Sequence, residues 1–178
     1  MPVGVLPIAK VIVISGASSK VGKTTLARGL QRLLEGAEVV KIGHGPRKTW
    51  IRNHFYELGT PFRTIREDHA QARWLVIESN SILREIEADL VIYLEGPNPK
   101  PSADSARRRA DITSGRGVGE GKIAALATRL GIPCDLMRAI IRLVPGVSEE
   151  GGSTDRSGHP DIAGHADTTG HSPDPALD

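Results

Sequence analysis

The residues best suited to chemistry lie in one run, Gly16-Ala17-Ser18-Ser19-Lys20-Val21-Gly22-Lys23-Thr24-Thr25. A glycine-bounded turn followed by Gly-Lys-Thr-Thr suits an anion. Successive backbone N–H groups converge on it, and a helix opening at Gly22 adds the positive end of its dipole. In such a loop Lys23 reaches the outer phosphates of a nucleotide, and the Thr24 hydroxyl ligates Mg²⁺. Against the pattern G-x-x-x-x-G-K-[ST], Ala17 stands where the first glycine belongs. Either Ala17 fills that position with negative φ, because alanine resists positive φ, or Gly16 takes the turn and the loop is wider.

Other residues join this candidate site by position. Glu78 closes the apolar run Trp74-Leu75-Val76-Ile77. An acid at the tip of a buried strand is placed to hold Mg²⁺, directly or through water, or to orient an attacking water. Lys41, near the end of Val39-Val40-Lys41-Ile42, either contacts phosphate or snorkels from the sheet edge. His44, between two glycines, faces the ligand or is an ordinary loop histidine. Asp68 is a second metal candidate, with a solvated loop acid as the preferred reading. Residues 44–72 carry Trp50, Phe55, Tyr56 and Phe62 beside Arg47, Lys48, Arg52, Arg63 and Arg66. A lid over the nucleotide or a second-substrate surface ranks first for them, and single-stranded nucleic acid last; the plainer alternative is a small satellite core with a solvated basic face. Arg107-Arg108-Arg109 reads as a solvated helix end.

The elements that must position these residues follow from periodicity. Ile8 and Val11-Ile12-Val13-Ile14 form a strand buried on both faces, and Leu26, Leu30, Leu33 and Leu34 mark an amphipathic helix after the loop. Further strands are expected at 37–42, 73–78, 89–94 and 110–113. Helices are expected at 80–87, 102–109, 122–130 and 134–143, with a partly helical excursion over 44–72 and a loop through Gly115–Gly121. This alternation predicts an α/β fold of three layers, a mostly parallel sheet with helices on both faces. Ligands in such sheets sit at the carboxyl ends of the strands, which here are Ser15, Gly43, Glu78 and Glu95.

The 178 residues divide by composition into a nucleotide-binding domain, 1–145, and an acidic Gly/His/Asp tail, 146–178, that reads as disordered. The tail holds seven acids and one base, leaving the body with 22 Lys+Arg against 14 Asp+Glu. A body of formal charge +8 suits an anionic partner. The tail histidines His159, His165 and His171 recur every six residues; they gather a metal such as Ni²⁺ or Zn²⁺, or belong to a solubilising low-complexity segment, which is preferred. The single cysteine, Cys134, excludes an intrachain disulfide, and no signal-like or membrane-spanning run is evident. The expected location is cytoplasmic, with no membrane partner.

With these residues in view, Ile14 to Leu26, Val39-Val40-Lys41-Ile42-Gly43-His44 and Leu75-Val76-Ile77-Glu78-Ser79-Asn80-Ser81 resemble the MobB group of molybdopterin-guanine dinucleotide biosynthesis adapters. That group belongs to a P-loop class with metallochaperone GTPases, dethiobiotin synthetase and MinD-like ATPases. The resemblance spans residues 8–95 in pieces, and the longer loop from Gly16 is also similar to that of dethiobiotin synthetase. It implies Mg²⁺-dependent binding and slow hydrolysis of GTP or ATP, an accessory role beside a cofactor-biosynthesis partner protein, and a homodimer for many members of the class. The acid after the third strand, which serves metal or water in that class, falls on Glu78. Ser18 stands where MinD-like proteins carry an extra lysine, and Asn98-Pro99-Lys100-Pro101 lacks the aspartate of a guanine-reading motif. Two alternatives accompany this reading: a small-molecule kinase or ATP-dependent ligase resembling dethiobiotin synthetase, and a nucleotide-switched metal-delivery protein using the tail.

Overall fold

A computed structural model describes residues 9–44 and 54–150. The chain opens with β1 (Lys10–Gly16), then β2 (Ala37–Gly43) after helix α1 (Lys23–Leu33), then the short β3 (Phe55–Glu57). Helix α2 (Phe62–Asp68) leads to β4 (Trp74–Glu78), and a single 3₁₀ turn (Ile82–Arg84) to β5 (Leu90–Leu94). Helix α3 (Pro101–Arg108) and β6 (Ile112–Thr113) follow, then β7 (Val118–Gly119), α4 (Glu120–Leu130), α5 (Cys134–Arg142) and β8 (Glu149–Glu150). The main sheet has six strands in the order β3-β2-β4-β1-β5-β6, and every pairing in it is parallel.

The sequence explains the layering. All five residues of β4 (Trp-Leu-Val-Ile-Glu) and of β5 (Leu-Val-Ile-Tyr-Leu) are buried, as strands covered on both faces require. Alternate side chains separate two cores. Ile12, Ile14, Val76 and Ile92 pack with Leu26 and Leu30 of α1, Ile123 of α4 and Ile140 of α5. Val13, Ile77, Val91 and Tyr93 pack on the other face with Ile65 of α2, Leu83 and the small Ala103 and Ala106 of α3. The protein is therefore α/β, a parallel sheet with helices on both faces. Among the described residues, no helix is long and apolar enough to cross a membrane.

The topology creates a crevice. After β1 the chain crosses to β2, leaving the place that β4 later fills; after β4 it returns to β5 on the opposite side of β1. The carboxyl ends of β1 and β4 thus flank a point where connections diverge, the usual place for a ligand in an open α/β sheet.

Three local expectations change. The helix expected at 80–87 is only the 3₁₀ turn: the Ser79 hydroxyl accepts from the Ser81 and Ile82 N–H groups and opens it, and the Asn80 side chain is committed to Gly16. The 44–72 excursion contains an edge strand, β3, as well as α2; residues 45–53 lie outside the described residues. Val118–Gly119, expected in a loop, pairs in parallel with Glu149–Glu150. Residues 146–150 thereby join the body, with Val147 packed against the main core, while 151–178 lie outside the described residues.

Candidate functional site

The site grows from the turn between β1 and α1. Its base is tied down by main chain and one amide. Gly16 N–H donates to Asn80 Oδ1 at 3.0 Å, and Asn80 Nδ2 donates back to Gly16 O at 2.9 Å. Ala17 N–H donates to Leu94 O, and Lys100 N–H donates to Ala17 O, both at 2.9 Å. The left-handed residues of the loop are Lys20 (φ 67°) and Gly22 (φ 99°), so Ala17 occupies its position without positive-φ strain. Gly16 is required for space: a Cβ there would lie 2.7 Å from Val21 Cγ2 and 3.1 Å from Leu94 O. Gly96 faces the other methyl, where a Cβ would lie 2.5 Å from Val21 Cγ1. Val21 is therefore an inward pin held between two glycines.

The outer side of the loop opens on a cavity of about 830 Å³. From the loop and helix it is lined by Ser18, Ser19, Lys20, Gly22, Lys23, Thr24 and Thr25, and from strand ends by Lys41, Gly43 and Glu78. No side chain caps α1 at Gly22, so its first-turn amides, which lack intrahelical acceptors, remain for a ligand. Of the expected loop residues, Gly16, Ala17 and Val21 do not line the cavity; they shape it from behind.

A chain of charged contacts crosses the cavity floor. Thr24 Oγ1–H donates to Glu78 Oε2 at 2.7 Å, and Lys41 Nζ donates to Glu78 Oε1 at 3.0 Å. Lys41 stands directly opposite Glu78 in the β2–β4 register, so its position follows from strand pairing. The Glu78 side chain is 5% exposed, and a carboxylate so deep in the fold needs these donors. Lys23 Nζ donates to Ser18 O at 2.6 Å, folding back over the loop. Its pKa lies below the ordinary lysine value: burial is the main cause, and Lys41 and Lys100 add to it against the opposing pull of Glu78. Lys20, Lys23, Lys41, Arg84 and Lys100 line the cavity with Glu78 as the one acid among its described lining residues. A cation-rich cavity on parallel strand ends carries a positive potential that suits an anion.

Three lining residues of consequence, Asn80, Arg84 and Lys100, escaped sequence reasoning. Asn80 sits in Glu78-Ser79-Asn80-Ser81, where nothing local distinguishes an amide that clamps a loop 64 positions earlier. Lys100 arrives only because its N–H pairs with Ala17. His44 does line the cavity. Of the other strand-end candidates, Ser15 is buried with its hydroxyl donating to Ile92 O, and Glu95 pairs with Arg107; neither lines the cavity. Asp68 is not a phosphate-side metal ligand: it accepts from the Tyr56 hydroxyl, away from the cavity. Of the described part of the excursion only His44 and Leu58 line the cavity; Phe55 is buried, and Tyr56 and Phe62 pack against the sheet core that holds Val13 and Ile77 rather than forming a satellite core of their own; Arg47, Lys48, Trp50 and Arg52 lie outside the described residues, as do the tail histidines.

No family model matches the chain, and no curated protein matches it.

Proposed function

We propose that this cavity binds the triphosphate of GTP or ATP with Mg²⁺, as a P-loop does, and that the protein hydrolyses the nucleotide slowly. The observation that carries this reading is the convergence of Lys23, Thr24, Glu78 and the uncapped start of α1 on one cation-lined cavity. Thr24 and Glu78 offer hard oxygen donors on facing elements, the donor chemistry that Mg²⁺ takes. Bound there, the ion would neutralise charge on the phosphate oxygens. The chain's own residues do the rest. First-turn amides hold the β and γ phosphates, and Lys23 exchanges Ser18 O for a phosphate oxygen. Glu78, oriented by Thr24 and Lys41, positions water for attack on the γ phosphate. The MobB resemblance extends the proposal to an accessory role in molybdenum or related metallocofactor biosynthesis, beside a partner protein.

Phosphate release from GTP and ATP tests the catalytic part. Glu78→Gln is expected to lower turnover at saturating nucleotide and Mg²⁺ by about 10²-fold or more, the scale of a removed transition-state group. Turnover unchanged in that variant would refute the assigned role. Arg84 and Lys100 on the same cavity favour one further reading, an anionic acceptor held beside the nucleotide as in a small-molecule kinase or ligase. Transfer that occurs only with an added acceptor, and never to water, selects it.

A further inference from the structure

A second polar cluster lies at the other end of β2. Glu38 is three residues before Lys41, about 10 Å along the strand. His54 precedes β3, and His69 follows α2. One ligand atom from each of Glu38, His54 and His69 lies within 4.8 Å of the others. The sequence points to none of these pairings, because the three residues come from separate elements.

The hydrogen bonds orient each ring. His54 Nδ1 faces Val39 O at 2.9 Å. A carbonyl only accepts, so Nδ1 donates there and Nε2 is the ring's remaining ligand atom. Tyr56 donates its O–H to Asp68 Oδ2 at 2.9 Å, and its oxygen lies 3.0 Å from His69 Nε2. With the phenol hydrogen used on Asp68, Nε2–H donates to the Tyr56 oxygen. His69 Nδ1 then points at the Glu38 carboxylate, which it contacts. A nitrogen lone pair facing a carboxylate requires a cation between them, either a proton or a metal ion. His54, with its ring centroid 5.5 Å from that of His69, supplies a second ring nitrogen that a simple His69–Glu38 hydrogen bond does not use.

We propose that Glu38, His54 and His69 bind one borderline divalent cation, of the class of Zn²⁺, Co²⁺ or Ni²⁺, with a fourth position open to water. Two imidazoles and one carboxylate select such ions over Mg²⁺. Each imidazole already has the outer partner that metal-bound histidines use: Val39 O for His54, and the Tyr56–Asp68 pair for His69. His69 is buried while the Glu38 side chain is 36% exposed, which leaves a path from solvent. Bonds of ~2.0–2.1 Å around a tetrahedral ion bring ligand atoms to about 3.3 Å, so side-chain adjustment closes the site. The ion would tie β3 and α2 to β2, the strand whose far end carries Lys41.

The test uses the full chain carrying His159→Gln, His165→Gln and His171→Gln, so that tail histidines contribute nothing. Titration with Co²⁺, followed by its visible absorption, and with Zn²⁺, followed by calorimetry, should show one equivalent bound and tetrahedral Co²⁺ bands that Zn²⁺ displaces. Glu38→Gln and His54→Gln should each weaken binding by at least about tenfold, and Tyr56→Phe, which frees His69, by about 10–100-fold. Glu38 and His54 are only half-buried, so both variants keep the core intact, whereas His69 is buried and its replacement would disturb the fold. No saturable binding at millimolar ion, or unchanged affinity in both Glu38→Gln and His54→Gln, overturns the proposal and leaves a proton between Glu38 and His69.

Discussion

Glu78 ties the start of α1 to the end of β2, and the proposed function gives the same carboxylate a second task. Its oxygens are taken by Thr24 and Lys41, so removing the Thr24 hydroxyl leaves a buried oxygen without its donor. Thr24→Ala is expected to lower stability by about 1–3 kcal/mol in denaturant melts and, under the proposed function, to weaken Mg²⁺-dependent nucleotide binding. Lys23 carries a pH signature. Its folded pKa is lowered, so between that value and 10.5 the folded chain binds fewer protons than the unfolded one, and stability rises with pH across that window. A bound triphosphate favours the ammonium, so nucleotide affinity falls across the same window. Melts and titrations from neutral pH to 10.5 should show these opposite slopes, and Lys23→Met should flatten the first. At this scale the meeting of Lys23, Thr24 and Glu78 on one cavity was legible because motif and strand tip are local signals. Asn80, Arg84 and Lys100 were not, since each gains its place from an element distant in sequence. The Glu38–His54–His69 cluster was hidden for the same reason.

The elements hold the turn in shape from behind. Asn80 takes both main-chain groups of Gly16, and Val21 is wedged against Gly16 and Gly96. Gly96→Ala forces its Cβ into Val21 and is expected to cost about 1–3 kcal/mol by overpacking. Val21→Ala in the same chain should recover part of that cost, a non-additivity that a double-mutant cycle measures. Additive losses would show that the two residues do not press on one another. Long apolar runs made β1, β4 and β5 legible, and the leucine period did the same for α1. The 80–87 segment misled because its apolar spacing, Ile82, Leu83 and Ile86, fits a helix although only Ile82–Arg84 form a turn. Strands β3, β7 and β8, of two or three residues, are too short for a period of two to register.

For the molecule as a whole, strand order brings the ends of β1 and β4 together and surrounds them with cations, which matches the positive charge of the body. The α/β layering followed from alternating strands and helices, whereas the strand order, which makes the crevice, has no local signal. If a nucleotide binds only the folded state, a concentration 100 times Kd stabilises it by about 2.7 kcal/mol, or roughly 5–11 °C in Tm for a chain of this size. Heating with GTP or ATP and Mg²⁺, against inorganic phosphate, checks that range. The β1–α1 turn is proposed to hold a triphosphate through Lys23, and direct titration of labelled nucleotide with Mg²⁺ tests this most closely. Wild-type protein should bind one equivalent and folded Lys23→Ala none at the same concentrations; equal binding by both would contradict the account.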